Sequence, residues 1–241
     1  MRGIILSGGS GTRLKPCTTI TSKQLLPVYN RPMIYYPLNT LIKAGIKEIL
    51  IIVAPERAGD YLNLLGSGQK FGAKFTYEIQ DKPNGVAEAF IIGENFIDQE
   101  DVTMILGDNI FEDDLSKEIK SFKSGGKIFA KKVPDPNRFG IVEFDEKNKA
   151  ISIEEKPLKP KSDYCVTGLY VYDNRVVDIV KKLKPSERGE LEITDVNNKY
   201  LKMGELEVAM VKGEWIDSGT FDSLLKAQNF AKEKLQKNMI I

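Results

Sequence analysis

Short apolar runs, set apart at regular intervals, limit the folds open to this chain. Gly3-Ile4-Ile5-Leu6, Ile46–Val53 and Val102–Leu106 are rich in Ile, Leu and Val and too brief for buried helices. Strands apolar on both faces belong inside a parallel sheet covered by helices on each side. Segments with helical spacing lie between them. Met33–Ala44 repeats apolar residues at Ile34, Leu38, Leu41 and Ile42 and stops at Gly45, with Pro32 in place as a first helical residue and Pro37 in the first turn or at a kink. Gly59–Leu65 and Val86–Phe96 read as further helices and Lys74–Gln80 as a strand. Strand and helix alternating in this rhythm imply right-handed crossovers and an α/β fold.

After Phe111 the texture changes. Lys127–Val133, Gly140–Phe144, Ala150–Glu154 and Val166–Tyr172 are strand-like and separated by turn clusters, which predicts an antiparallel or mixed section on the same sheet. Helices are expected at Val176–Leu183, Ile193–Met203 and Phe221–Lys237, and a strand at Leu206–Val211. No linker or repeat divides the chain, so one domain spanning residues 1–241 is expected.

Histidine is absent. That excludes a Ser-His-Asp or Cys-His nucleophile, a His-ligated zinc and a histidine general base. Two cysteines cannot build a disulfide scaffold. The 35 basic and 34 acidic residues balance to +1, so no nucleic acid partner is expected. No apolar run approaches the roughly 20 residues of a membrane span, and Met1 leads into the first apolar run without a leader-like n-region or cleavage site. A cytoplasmic location follows as an expectation. The chemistry is left to carboxylates, Lys, Arg, metal ions and backbone dipoles.

Gly8-Gly9-Ser10-Gly11-Thr12-Arg13 follows the first strand directly. Small residues let successive N–H groups converge on an anion, and a nearby helix start would add its dipole. The spacing is neither that of a Walker A loop nor of a dinucleotide fingerprint; an ordinary flexible loop is the alternative. Arg13 and Lys23 flank it with positive charge, or are solvated surface cations. Asp108 ends the strand Val102–Gly107, where α/β sheets bind ligands; Asp108-Asn109 also suits an Asx turn, and Asp217 a helix cap before Phe221. The adjacent Asp113-Asp114 does not make the Asp-x-Asp pattern of many sugar-transferring enzymes.

The stretches G-G-S-G-T-R-L-K-P, S-K-Q-L-L-P and R-P-M-I-Y-Y-P, followed in order by L-G-D-N-I-F, F-G-I-V-E-F, E-E-K-P, V-T-G-L-Y, G-E-L-E-I-T-D and W-I-D-S-G-T, together resemble the sugar-1-phosphate nucleotidylyltransferases. Within them the likeness is to the group using dTTP and glucose 1-phosphate, and it runs through essentially the whole chain. It implies a Rossmann-like three-layer α/β fold with a mixed, mostly parallel central sheet, residues 1–111 forming a nucleotide lobe and 112–241 a sugar lobe. It implies a Mg²⁺ ion held by Asp108 and Asp217, with Arg13 and Lys23 on the triphosphate. It places Leu6, Gly8, Gly9, Ser10, Gly11 and Thr12 along the nucleotide, and Gln80 and Gly85 at a thymine or uracil ring. Asn109, Gly140, Glu155, Lys156, Val166 and Tyr170 would surround the sugar phosphate. Gln80 as a polar strand end and Glu155-Lys156 as an exposed charged turn stay open as plainer readings. Phe139 departs from the family, whose close members carry Tyr there. The products implied are dTDP-glucose and pyrophosphate. UTP, another sugar, and a non-catalytic nucleotide-sugar binder remain alternatives, and a homo-oligomer is expected. Many long members continue for several dozen residues beyond the equivalent of Met239-Ile240-Ile241 and build a regulatory site there, which this chain is expected to lack.

Overall fold

The computed structural model describes residues 1–147, 149–235 and 239. A nine-stranded sheet holds the centre. Its strands are β1 (Arg2–Ser7), β2 (Glu48–Val53), β3 (Lys74–Ile79), β4 (Val102–Leu106), β5 (Gly126–Lys132), β6 (Gly140–Phe144), β7 (Ala150–Glu155), β8 (Tyr164–Tyr172) and β9 (Leu206–Met210). β3, β2, β1 and β4 lie side by side and parallel, in that order. β8 runs antiparallel to β4, β5 and β6, and β7 antiparallel to β6, while β9 joins β5 in parallel. Seven strands therefore point one way and only β7 and β8 oppose them.

The sheet forks on β8. One edge pairs with β5 through Tyr164–Val166 and Tyr170–Tyr172. The other edge pairs with β4 through Leu169–Tyr172 and with β6 at Cys165. Between these contacts the register against β5 shifts, over Thr167–Leu169. A bulge of this kind redirects backbone groups and opens a sheet locally. The fork leaves a gap at the carboxyl end of β4, and the candidate site occupies it.

Helices cover both faces, as doubly apolar strands require. One layer of core gathers Leu38 and Leu41 of helix Tyr35–Lys43 and Tyr61 and Leu65 of helix Ala58–Leu65 against Ile5, Ile49 and Ile51. The opposite layer sets Phe90, Val176, Val180, Val196 and Tyr200 against Ile4, Leu50, Ile52 and Met104. Alternate residues of one strand thus serve two cores, which is why these runs carry no polar face.

Several local expectations change. Pro32 does not start a helix: Arg31–Pro32 pairs with Pro27–Val28 in a small ribbon, and the helix begins at Tyr35 with Pro37 in its first turn. The expected helix Val86–Phe96 is two short ones, Glu88–Ile92 and Glu94–Ile97, separated at Gly93. A side chain at Gly93 would press on Leu50 and Ile4 of the sheet, so the junction packs closely against the core. A helix at Ser116–Lys120 was not legible in the sequence. Helix Phe221–Phe230 continues as a π-turn through Leu235; Gln236, Lys237, Asn238, Ile240 and Ile241 lie outside the described residues. Among the described residues no helix is long and apolar enough to cross a membrane.

Candidate active site

A cleft of about 370 Å³ opens over the fork. Leu6 and Leu106, paired neighbours on β1 and β4, form part of its lining. Between β1 and Pro27 the chain makes no α-helix; three 3-10 turns, Thr12–Leu14, Cys17–Thr19 and Lys23–Leu25, carry it round the cleft. The expected helix dipole is therefore absent and any anion site here rests on loop N–H groups and cations. Gly11 stands at φ +61, where a side chain would be strained and would meet Thr18 Cγ2 at 3.0 Å. Gly9, Arg13 and Lys23 line the cleft, whereas Ser10 and Thr12 are exposed beside it.

A second ribbon brings distant residues together. Asn109–Phe111 pairs antiparallel with Trp215–Asp217, setting Asn109 opposite Asp217. Ser218 N–H donates to the Asp108 carbonyl at 3.0 Å. The two aspartates thus meet although 109 positions separate them. Asn109 anchors the arrangement: its Oδ1 accepts from Gly168 N–H at 3.0 Å and Trp215 Nε1 at 2.6 Å, and its Nδ2 donates to Asp108 Oδ1 at 3.1 Å. The bulge on β8 makes the first of these bonds available. Thr167 Oγ1 donates to the Phe129 carbonyl while Gly168 turns its N–H toward the site. Any side chain at Gly168 would lie 2.6 Å from Asn109 Oδ1.

At the far wall, Gly140 begins β6 and Glu155 ends β7 as its direct partner. Glu155 Oε2 accepts from Thr194 Oγ1 at 2.5 Å, and Lys156 Nζ and Arg188 Nη2 approach Oε1 at 3.5 Å each. Lys156 sits at φ +44, an uncommon conformation for a side-chain-bearing residue and one that concentrates at functional sites. Val166 and Tyr170 of β8 complete this wall.

Residues 2–234 match the family model described as nucleotidyl transferase. The chain belongs to the nucleotidyl transferase family. It is 53% identical over 238 residues to a glucose-1-phosphate thymidylyltransferase of Neisseria meningitidis serogroup A / serotype 4A, covering 96% of this chain and 83% of that one. It is also 53% identical to the glucose-1-phosphate thymidylyltransferase of Mycobacterium tuberculosis, covering 96% and 82%. A Bacillus anthracis structure assigned to the same enzymes, in complex with a sucrose, superposes with a TM-score of 0.93 at 48% identity over 97% of this chain and 96% of that one. A UDP-glucose pyrophosphorylase complexed with UDP-glucose shares the fold at TM-score 0.84 and 23% identity, covering 97% and 98%.

The electrostatics of this nucleotidyl transferase cleft centre on three charges. Lys23 Nζ forms an ion pair with Asp108 Oδ2. Burial works against the Lys23 ammonium, but Asp108 beside it and Asp217 beyond outweigh that and hold its pKa above the ordinary lysine value. Burial likewise opposes the Asp108 carboxylate, yet Lys23 and Asn109 hold it below the ordinary range. Asp217 is pushed up to about 6, first by burial and then by the neighbouring Asp108 charge. Its Oδ1 is buried without a hydrogen-bond partner. Two neighbouring carboxylates, one paired with Lys23 and the other with an orphaned oxygen, suit a hard divalent cation taking oxygen ligands from protein and phosphate. No cluster of three or more Asp, Glu, Cys or His side chains with metal-binding spacing occurs among the described residues, so substrate and water oxygens would complete the shell.

The remaining expected residues take a different position. Gln80 is buried under Gly8, and its Nε2 donates to Glu88 Oε2 at 2.8 Å and the Gly85 carbonyl at 3.4 Å. Neither Gln80 nor Gly85 lines the cleft, and Gln80 is engaged with Glu88 instead. Asp217 does not cap the following helix; Thr220 does, in a reciprocal bond with Ser223. Sequence reasoning missed Arg138, Trp215 and Thr194, all of which line the cleft. Trp215 and Thr194 stood inside quoted motifs, but their side-chain partners Asn109 and Glu155 lie 106 and 39 positions away. Phe139 packs edge-on against Trp215, with ring centroids 5.1 Å apart.

Proposed function

We propose that this nucleotidyl transferase joins dTTP to α-D-glucose 1-phosphate, giving dTDP-glucose and pyrophosphate. The observation that carries the reading is one cleft with the Lys23–Asp108–Asp217 cluster between the glycine loop on one side and Glu155-Lys156 on the other. The likeness to thymidylyltransferases at 53% identity supports the choice of substrates. Arg13 and Lys23 bind the triphosphate and the departing pyrophosphate. Lys156 holds the sugar phosphate, while Glu155, itself oriented by Thr194, accepts hydroxyl hydrogens of the sugar. A sugar phosphate oxygen attacks the α-phosphorus in line with the leaving group, and the bond to the β-phosphate oxygen breaks. That nucleophile has a second pKa near 6 and is mostly dianionic at neutral pH, so no side chain removes a proton and the lack of histidine is no handicap. Asp108 and Asp217 would hold a Mg²⁺ ion, which when bound would supply charge neutralisation at the reacting phosphates. Positioning and fixed charge do the rest. A cytoplasmic location is part of this proposal. Exposed Phe221 and Leu225, one turn apart on a helix, support assembly into a homo-oligomer, readable as mass in solution.

Pyrophosphate release with glucose 1-phosphate and dTTP, UTP, CTP, ATP or GTP in parallel tests the reading. Fastest turnover with dTTP is expected. Preference for another triphosphate would overturn the base assignment, and silence with every triphosphate and sugar phosphate would leave a binding protein.

A further inference from the structure

The glycine loop is continued by Lys15–Thr21, whose residues are mostly exposed; Ile20 itself is 81% exposed. Burial of apolar side chains therefore does not fix this segment. Only Thr18 turns inward, and its Oγ1 donates to the Gly11 carbonyl at 2.8 Å. That carbonyl also accepts from Leu14 N–H at 3.0 Å, closing the turn that carries Arg13 into the cleft. From outside, Arg57 reaches across: Nη1 donates to the Ile20 carbonyl and Nη2 to the Thr19 carbonyl, each at 2.9 Å. Arg57 sits in the turn Pro55–Arg57 that follows β2, so the guanidinium is tied to the rigid sheet. A planar fork bonded to two consecutive carbonyls fixes both position and orientation of that backbone, which a lysine cannot do.

We infer that Arg57 is a positioning residue for the phosphate-binding loop. It locks Thr19 and Ile20, which seats Thr18 on Gly11, which holds Arg13 and the loop N–H groups in their triphosphate-binding arrangement. Arg57 is not in the cleft lining, so its effect on the site runs through the loop. The inference rests on the proposed placement of the triphosphate at the glycine loop.

The test compares wild type with Arg57→Ala and Arg57→Lys. Steady-state kinetics vary dTTP and glucose 1-phosphate separately, calorimetry measures inorganic pyrophosphate binding, and amide hydrogen exchange follows residues 9–20. Loss of two charge-assisted bonds is expected to raise the KM for dTTP and the Kd for pyrophosphate about three- to tenfold. Amide exchange in the loop should quicken, and the KM for glucose 1-phosphate should stay unchanged. Arg57→Lys should resemble Arg57→Ala, because charge without the fork does not fix the loop. Faster exchange with unaltered pyrophosphate affinity, equal effects on both substrates, or full function in Arg57→Lys would overturn the inference. If the wild type does not turn over dTTP, the proposed substrate fails, while exchange and pyrophosphate binding still decide the role of Arg57.

Discussion

Lys23 makes the buried charges of Asp108 and Asp217 tolerable, although Asp108 itself disfavours the charge on Asp217. Replacing either aspartate with Asn keeps the shape and removes one ligand charge. Asp108→Asn and Asp217→Asn are each expected to lower Mg²⁺-dependent turnover by at least about a hundredfold with folding intact. Pyrophosphate release and circular dichroism on the same preparations check this, and near-normal rates in a folded variant would reject the shared-metal assignment. The two lysines differ in address. Lys23 faces Asp108 beside the glycine loop and Lys156 faces Glu155 on the opposite wall. Lys156→Ala should mainly raise the KM for glucose 1-phosphate, and Lys23→Ala should lower kcat and weaken dTTP. Perturbation of the same substrate by both would show the division to be wrong.

Among the elements, the ribbon joining Asn109–Phe111 to Trp215–Asp217 depends on a side-chain clamp at its closed end. Asp113 accepts from Lys212 N–H at 2.8 Å and from Gly213 N–H at 2.9 and 3.0 Å. Lys131 Nζ donates to the carbonyls of the same two residues, at 2.9 and 2.7 Å. Asp113→Ala leaves two N–H groups without their acceptor, a loss of about 1–2 kcal/mol. At this size that lowers Tm by about 2–8 °C. Turnover should fall with it, since Asp217 lies four residues beyond Gly213. A differential scanning measurement showing no shift would mean that water replaces the clamp without loss. The adjacent Asp113 and Asp114 had only excluded a motif in the sequence; their structural use depends on a loop about 100 positions away.

For the whole molecule, Asp173, at the end of β8, is one of the carboxylates that link stability to acid. Burial opposes its carboxylate, but bonds from Arg175, Gly125 N–H and Tyr200 hold it below the ordinary Asp range. A carboxyl depressed in the folded state stabilises most above its unfolded pKa, about 3.9, and loses that contribution as pH falls through the folded value. The urea midpoint of the wild type is therefore expected to fall between pH 5 and pH 3, and Asp173→Asn should be weaker at pH 7 and flatter over that interval. An unchanged pH slope in Asp173→Asn would place the acid-sensitive group elsewhere.

Much of this was written in the chain itself. Doubly apolar runs can be satisfied only between two layers, so the parallel half of the sheet and the strand ends near Leu6 and Asp108 followed from local pattern. The resemblance named Lys23, Asp108, Glu155 and Asp217 of the cleft lining, but not Arg138, Thr194 or Trp215. Tertiary structure decided what depends on pairs distant in sequence: the fork on β8, the meeting of Asp108 with Asp217, and Gln80 turned to Glu88. Local propensity reports how one segment fills its own space. A bulge, an orphaned carboxylate oxygen or an arginine holding two carbonyls exists only once another segment, far along the chain, occupies the space beside it.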